Sequence, residues 1–172
     1  MAMDTAAMIG TGFWQYADQE EALASYHFQL HLGKHDQDCE MDALVFLHGV
    51  CGIFALALSD VFRYEIELSY EQPEDEDVGN NTPEWCLNNL VHIYCKKQVG
   101  DKTYYIDVRG VTDNWEAFYD TAFSDWELGG RMGISNPDCT DFVTEYMSKA
   151  EFDGFYKAAM NIILGHYKDY KV

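Results

Sequence analysis

Six consecutive apolar residues, Ile53 to Leu58, leave no polar face to turn towards water. A helix that is apolar all round belongs inside a core. The pattern therefore predicts a short buried helix beginning at or beside Cys51, entered through a turn at Gly49-Val50. Further along, Phe62, Tyr64, Ile66 and Leu68 alternate with Arg63, Glu65 and Glu67 out to Ser69, the period of a half-buried strand. Two β-rich runs between Leu90 and Gly110 flank Val99-Gly100-Asp101-Lys102, a hairpin signal. An even-numbered loop there pairs residues whose numbers sum to 199 or 201. In either register His92, Tyr94, Tyr105 and Asp107 project from one face, because strand side chains alternate with period two.

The flanks read as mostly helical. Asp18-Gln-Glu-Glu21 resembles a capped helix start. Tyr26, Phe28, Leu30 and Leu32 then alternate with polar residues, but the upstream signal favours a helix continuing to Gly33. His27, His31, His35 and Cys39 fall four apart, which on one helical face is zinc-ligand spacing. Gly33 interrupts that run and nothing elsewhere completes the set, so no metal and no cofactor is expected. Asp36, Asp38, Glu40 and Asp42 read as acidic residues leading into a helix from about Glu40 to Leu47. Glu71 to Asn81 is a polar, proline-containing surface loop. Trp115, Phe118 and Tyr119 share one helical face, and Gly129 to Pro137 reads as loop. Ser148-Lys-Ala-Glu151 is a capping box that opens a final helix.

Composition bounds the function. A chain of 172 residues is long enough for one domain, here taken as 1–172, with a proper core. Its 12 Tyr, 10 Phe and 4 Trp argue for a folded chain. Thirty acidic residues against 11 basic give a net charge of −19, which disfavours direct binding to nucleic acid or to an anionic membrane and favours basic partners. Five cysteines cannot all pair internally, and neither a signal peptide nor an apolar run of spanning length is present, so a reduced, cytoplasmic setting is expected.

Cys51, at the start of a buried helix, is placed where helix N–H groups and the macrodipole stabilise a thiolate. His92 opens a strand, and Asp107 lies on the hairpin partner, opposite His92 or on its diagonal. Taken singly, each has a plain alternative: a buried hydrophobe, a strand histidine, a carboxylate paired with Arg109. Together they supply a nucleophile, a proton shuttle and an orienting carboxylate. The order Cys, His, Asp, at separations of 41 and 15 positions, resembles the papain-like cysteine superfamily, in particular its transglutaminase-like and arylamine N-acetyltransferase branches. The resemblance covers Gly49 to Gly110. It implies an α+β fold in which a Cys-bearing helix packs on a small antiparallel sheet between flanking N- and C-terminal helices. It also implies Cys51 as nucleophile, His92 as base and acid, and Asp107 as orienter. The Trp that often follows the cysteine in that superfamily is replaced by Gly52-Ile53, and no upstream glutamine offers itself as a second oxyanion donor. His48, three residues before Cys51, is the candidate for that role.

Two functions are therefore expected. One is a thiol-dependent hydrolase or acyltransferase acting on amide or acyl groups, with a basic protein or peptide as substrate. The alternative is a non-catalytic acidic interaction protein that mimics nucleic acid and blocks a basic partner, as phage-encoded inhibitors such as anti-CRISPR proteins do. Size and charge alone support the second.

Overall fold

The structure is a computed structural model and describes residues 19–31, 38–72 and 82–172. Its centre is α3 (Cys51–Phe62), in which every residue from Cys51 to Ser59 is buried. This is the consequence expected of an all-apolar helix: neighbours surround it. It lies against β4 (Leu90–Val99) of the sheet, against α2 (Val45–His48), and against α6 (Asn136–Glu145) and α7 (Lys149–Gly165) from the far end of the chain. The helix stops at Arg63, whose φ of 59° is left-handed and whose N–H closes on Ser59 O. The strand expected from Phe62 thus begins only at Glu65, because Phe62 completes the helix and its ring stacks on Tyr64 at 5.1 Å.

The sheet is antiparallel, with order β6-β5-β4-β3-β7. Its members are β3 (Glu65–Glu71), β4, β5 (Lys102–Asp107), β6 (Gly110–Thr112) and β7 (Leu128–Ile134). Between β4 and β7, β3 is buried on both faces from Ile66 to Tyr70, not half-buried. Glu67 is tolerated there because Tyr94 Oη donates to it at 2.7 Å and Lys96 pairs with it. One face of the sheet carries Ile93 and Cys95 towards α3; Cys95 Sγ reaches Ala55 O at 3.2 Å. The other carries Tyr94 and Tyr105 towards α5 (Trp115–Phe123), where Trp115 and Phe118 pack on them at ring separations of 5.0–5.8 Å.

Three expectations about elements are corrected, and one element is added. His27–His31 is a strand, β1, paired antiparallel with β2 (Asp38–Asp42), after a helix α1 confined to Gln19–Ala24. The alternation in this stretch wins because Leu30 can then be buried under α7 while His27, Gln29 and His31 face out. The helix expected from Glu40 is therefore strand at first and only the single turn α2 afterwards. Leu128–Ile134 is strand, not loop, and α6 follows at once, capped by Ser135. A short helix α4 (Pro83–Asn88), capped by Thr82, precedes β4. Residues His35 and Asp36 and most of the acidic stretch after Glu71 lie outside the described residues. His31 sits opposite Asp38 and bonds it at 2.7 Å, while His27, opposite Asp42, lies 3.9 Å from Glu40 on the diagonal. The capping box at Ser148 and Glu151 starts α7 as expected, with α8 (Tyr167–Tyr170) after it. No helix among the described residues is long and apolar enough to cross a membrane.

Candidate active site

The hairpin register decides the geometry. β4 and β5 pair as Val99 with Lys102 through Cys95 with Ile106, so paired numbers sum to 201. Continued, this register sets Asp107 opposite Tyr94 and diagonal to His92. Both side chains then lie on one face, and His92 Nε2 meets Asp107 Oδ2 at 2.9 Å. Asp107 is fixed from its other side by Arg109. The two-residue turn Val108-Arg109 leads into β6 through Gly110, whose φ of 113° glycine alone adopts readily. That turn folds Arg109 back so that its N–H (2.8 Å) and Nη2 (2.8 Å) both donate to the Asp107 carboxylate. The guanidinium is wholly buried and also donates to Phe118 O and Thr121 Oγ1, each at 2.9 Å. The pairing of Asp107 with Arg109 and its pairing with His92 thus coexist on one carboxylate.

Cys51 occupies the first turn of α3, only 6% exposed. Its Sγ accepts the Ile93 N–H at 3.4 Å, so the sulfur sits beside the backbone of the residue next to His92. Gly52 permits this close approach. A Cβ there would lie 2.7 Å from Val143 Cγ1 and 3.2 Å from Ile93 Cδ1, pushing α6 and β4 off the start of the helix.

The electrostatics tie the three groups together. Burial alone would push the Cys51 thiol up. The hydrogen bond and charge of His92, with the N–H groups of Ile93 and Gly52, outweigh it and draw the thiol below its ordinary value. Burial pulls His92 down, while Asp107 and Cys51 push it up by more, so the imidazole titrates above its ordinary range. Burial raises Asp107, but Arg109 and His92 hold its carboxyl far below the usual carboxylate range. Burial pushes Cys86 and Cys95 the other way, and burial together with the Cys51 charge takes Cys139 up to about 12. With Nε2 engaged by Asp107, the nitrogen of His92 left for Cys51 is Nδ1, and it is through this atom that the imidazole acts on the thiol. Nδ1 is thus the position that can give a proton to, or take one from, a group at Cys51.

Aromatic rings close the site. Phe123 lies 4.5 Å from the His92 ring and Phe118 6.0 Å from it, while the His48 ring meets Phe123 at 5.5 Å. His48 itself is committed: its Nε2 bonds Glu20 Oε1 at 2.6 Å, at the surface. The backbone N–H of Cys51, in the first helical turn, is the available oxyanion donor. Among the described residues no three metal-ligating side chains converge. Sequence reading missed Glu20 and Phe123. Neither carries a local signal, since each matters only through a partner 28 or more residues away. Comparison of the chain with models of protein families, with curated proteins and with solved structures finds no match in any of the three.

Proposed function

We propose that the protein is a thiol-dependent hydrolase or acyltransferase with a papain-like Cys51-His92-Asp107 arrangement. The observation that carries this reading is a single imidazole bound to a carboxylate through Nε2 while it draws down a buried thiol at the mouth of a helix. The thiolate of Cys51 attacks an amide or acyl carbonyl carbon, and the carbonyl electron pair moves to oxygen against the Cys51 N–H. Collapse breaks the bond to the leaving amine, which takes the proton from His92 Nδ1, and a thioester remains. His92 then removes a proton from water or an acceptor amine, which attacks the thioester and releases the thiolate. Asp107 keeps the proton on Nε2 throughout, and Arg109 keeps Asp107 ionised. The net charge of −19 favours basic proteins or peptides as substrates.

The test is the pH dependence of alkylation at each cysteine, read by mass spectrometry, for wild type and His92→Ala. Cys51 should react well below pH 8 and lose that reactivity without His92. The second reading, an acidic protein that occupies a basic surface, is favoured by the burial of His92 and Cys51, which are 0% and 6% exposed. A Cys51 no more reactive than Cys86 or Cys139 decides for it.

A further inference from the structure

A groove of about 400 Å³ opens beside the buried triad, lined by Glu20, His48, Leu90, Val91, Ala122, Asp125 and Trp126. Two of its lining residues adjoin site residues in sequence. Val91 is the neighbour of His92 on β4, and Ala122 is the neighbour of Phe123 on α5. His48 spans from the groove to Phe123, which also packs on His92. One aromatic ring, Phe123, thus contacts both a lining residue of the groove and the imidazole of the triad. The lining combines an apolar floor, an exposed indole and two carboxylates. Trp126 is 40% exposed, Glu20 is tied to His48, and Asp125 is exposed and unpaired among the described residues. An apolar stem fits the floor, and a positive head is favoured by both carboxylates and by the face of the indole.

We infer that this groove is a specificity subsite for a cationic side chain, lysine or arginine, of the substrate. The inference rests on the thiol-enzyme reading. In this arrangement the basic side chain seats against Trp126 between Glu20 and Asp125, with Phe123 as the ring that must yield for the adjoining carbonyl to reach Cys51. The carboxylates select by charge, and His48 holds Glu20 in place.

Two measurements on the full chain test it. The first follows the Trp126 indole N–H by NMR during titration with Nα-acetyl-arginine amide and with its neutral isostere Nα-acetyl-citrulline amide. A saturable shift with arginine only, abolished in Asp125→Asn and in Glu20→Gln, is expected. Equal responses to both compounds, or none to either, would overturn the subsite. The second compares disulfide formation at Cys51 by aminoethyl, ethyl and sulfonatoethyl methanethiosulfonate, in which the thiolate attacks the sulfenyl sulfur and methanesulfinate leaves. The aminoethyl-to-ethyl rate ratio should fall about threefold to tenfold when both carboxylates are made amides, the loss of two partly exposed ion pairs. A ratio that does not move assigns the preference to the overall charge of the chain and also overturns the subsite. The two readings fail separately. If the indole responds to arginine but Cys51 shows no reactivity towards the neutral reagent below pH 8, the thiol-enzyme reading falls and the groove is not a substrate subsite.

Discussion

Replacing Asp107 by Asn changes one atom at the point where the fold and the proposed chemistry share a group. Oδ2 accepts from His92 Nε2 at 2.9 Å and from Arg109 Nη2 at 2.8 Å, and Oδ1 accepts the Arg109 N–H at 2.8 Å. An amide keeps one acceptor and turns the other into a donor, so in either orientation an N–H faces an N–H. Arg109 stays charged and wholly buried with its counter-ion gone. Breaking a buried pair from one side costs about 3–5 kcal/mol. At about 2–4 °C per kcal/mol for a chain of this size, Tm should fall by roughly 6–20 °C. The sulfur feels a second effect. With an amide N–H presented to Nε2, the imidazole carries its proton on Nδ1 and can no longer take one from Cys51. Burial then leaves the thiol at or above its ordinary 9.0. A thiol at that value is about 1% ionised at pH 7, so alkylation of Cys51 at pH 7 should slow by up to about 100-fold relative to a fully formed thiolate. The pH dependence has a definite sign. The Asp107 carboxyl is depressed in the fold, so its contribution is complete above the unfolded value near 3.8 and is lost as pH falls towards the folded value. The Tm gap between wild type and variant should therefore narrow below about pH 4. His92 acts oppositely: its raised value stabilises the fold below about pH 6.5, and that contribution fades as pH rises through the folded value. Thermal melts by circular dichroism, and alkylation rates by mass spectrometry measured well below Tm, decide the matter. A variant that melts with wild type and alkylates at the wild-type rate at pH 7 refutes the argument.

Gly52→Ala should lose about 1–3 kcal/mol in urea unfolding despite the better helix propensity of alanine, because the new methyl meets Val143 at 2.7 Å; an unchanged midpoint would show that α6 shifts freely. Ser148→Ala removes the side-chain half of the α7 capping box and should cost about 1 kcal/mol by the same assay, with Cys51 reactivity retained. Tyr170→Phe takes away the hydroxyl that donates to Val108 O at 2.9 Å, beside the turn that holds Asp107 and Arg109. A loss of about 1 kcal/mol is expected, seen as a Tm drop of about 2–4 °C.

What could be read from the sequence was whatever a short window determines. An even-numbered loop at Gly100-Asp101 places His92 and Asp107 on one face and an odd one does not; the structure has the even loop, in the register summing to 201. The apolar run after Cys51 sufficed to place α3 in the core. Where tertiary contacts decide, local signals misled. The glycines of β7 look like loop residues, yet Gly130 is required within the strand because a Cβ there would lie 2.4 Å from Tyr70 Oη, on the neighbouring strand. The alternation in β1 was outvoted by a helix signal that extends only to Ala24, and the carboxylates of β2 alternate because they edge a ribbon, not because they lead into a helix. The role of Arg109 depends on a two-residue turn that reverses the chain, a feature that composition does not announce.

The encirclement of α3 has a consequence for the order of events during synthesis. The helix carrying the thiol emerges early, but the strand that carries His92 follows 41 residues later and the walls formed by α6 and α7 later still. Closing such distant contacts is the slow part of folding a chain of this kind. Until β4 is made Cys51 has no imidazole beside it, and until α6 and α7 dock part of the apolar surface of α3 has no cover. The nascent chain therefore carries the Cys51 thiol for some time before His92, the group that draws it down, exists.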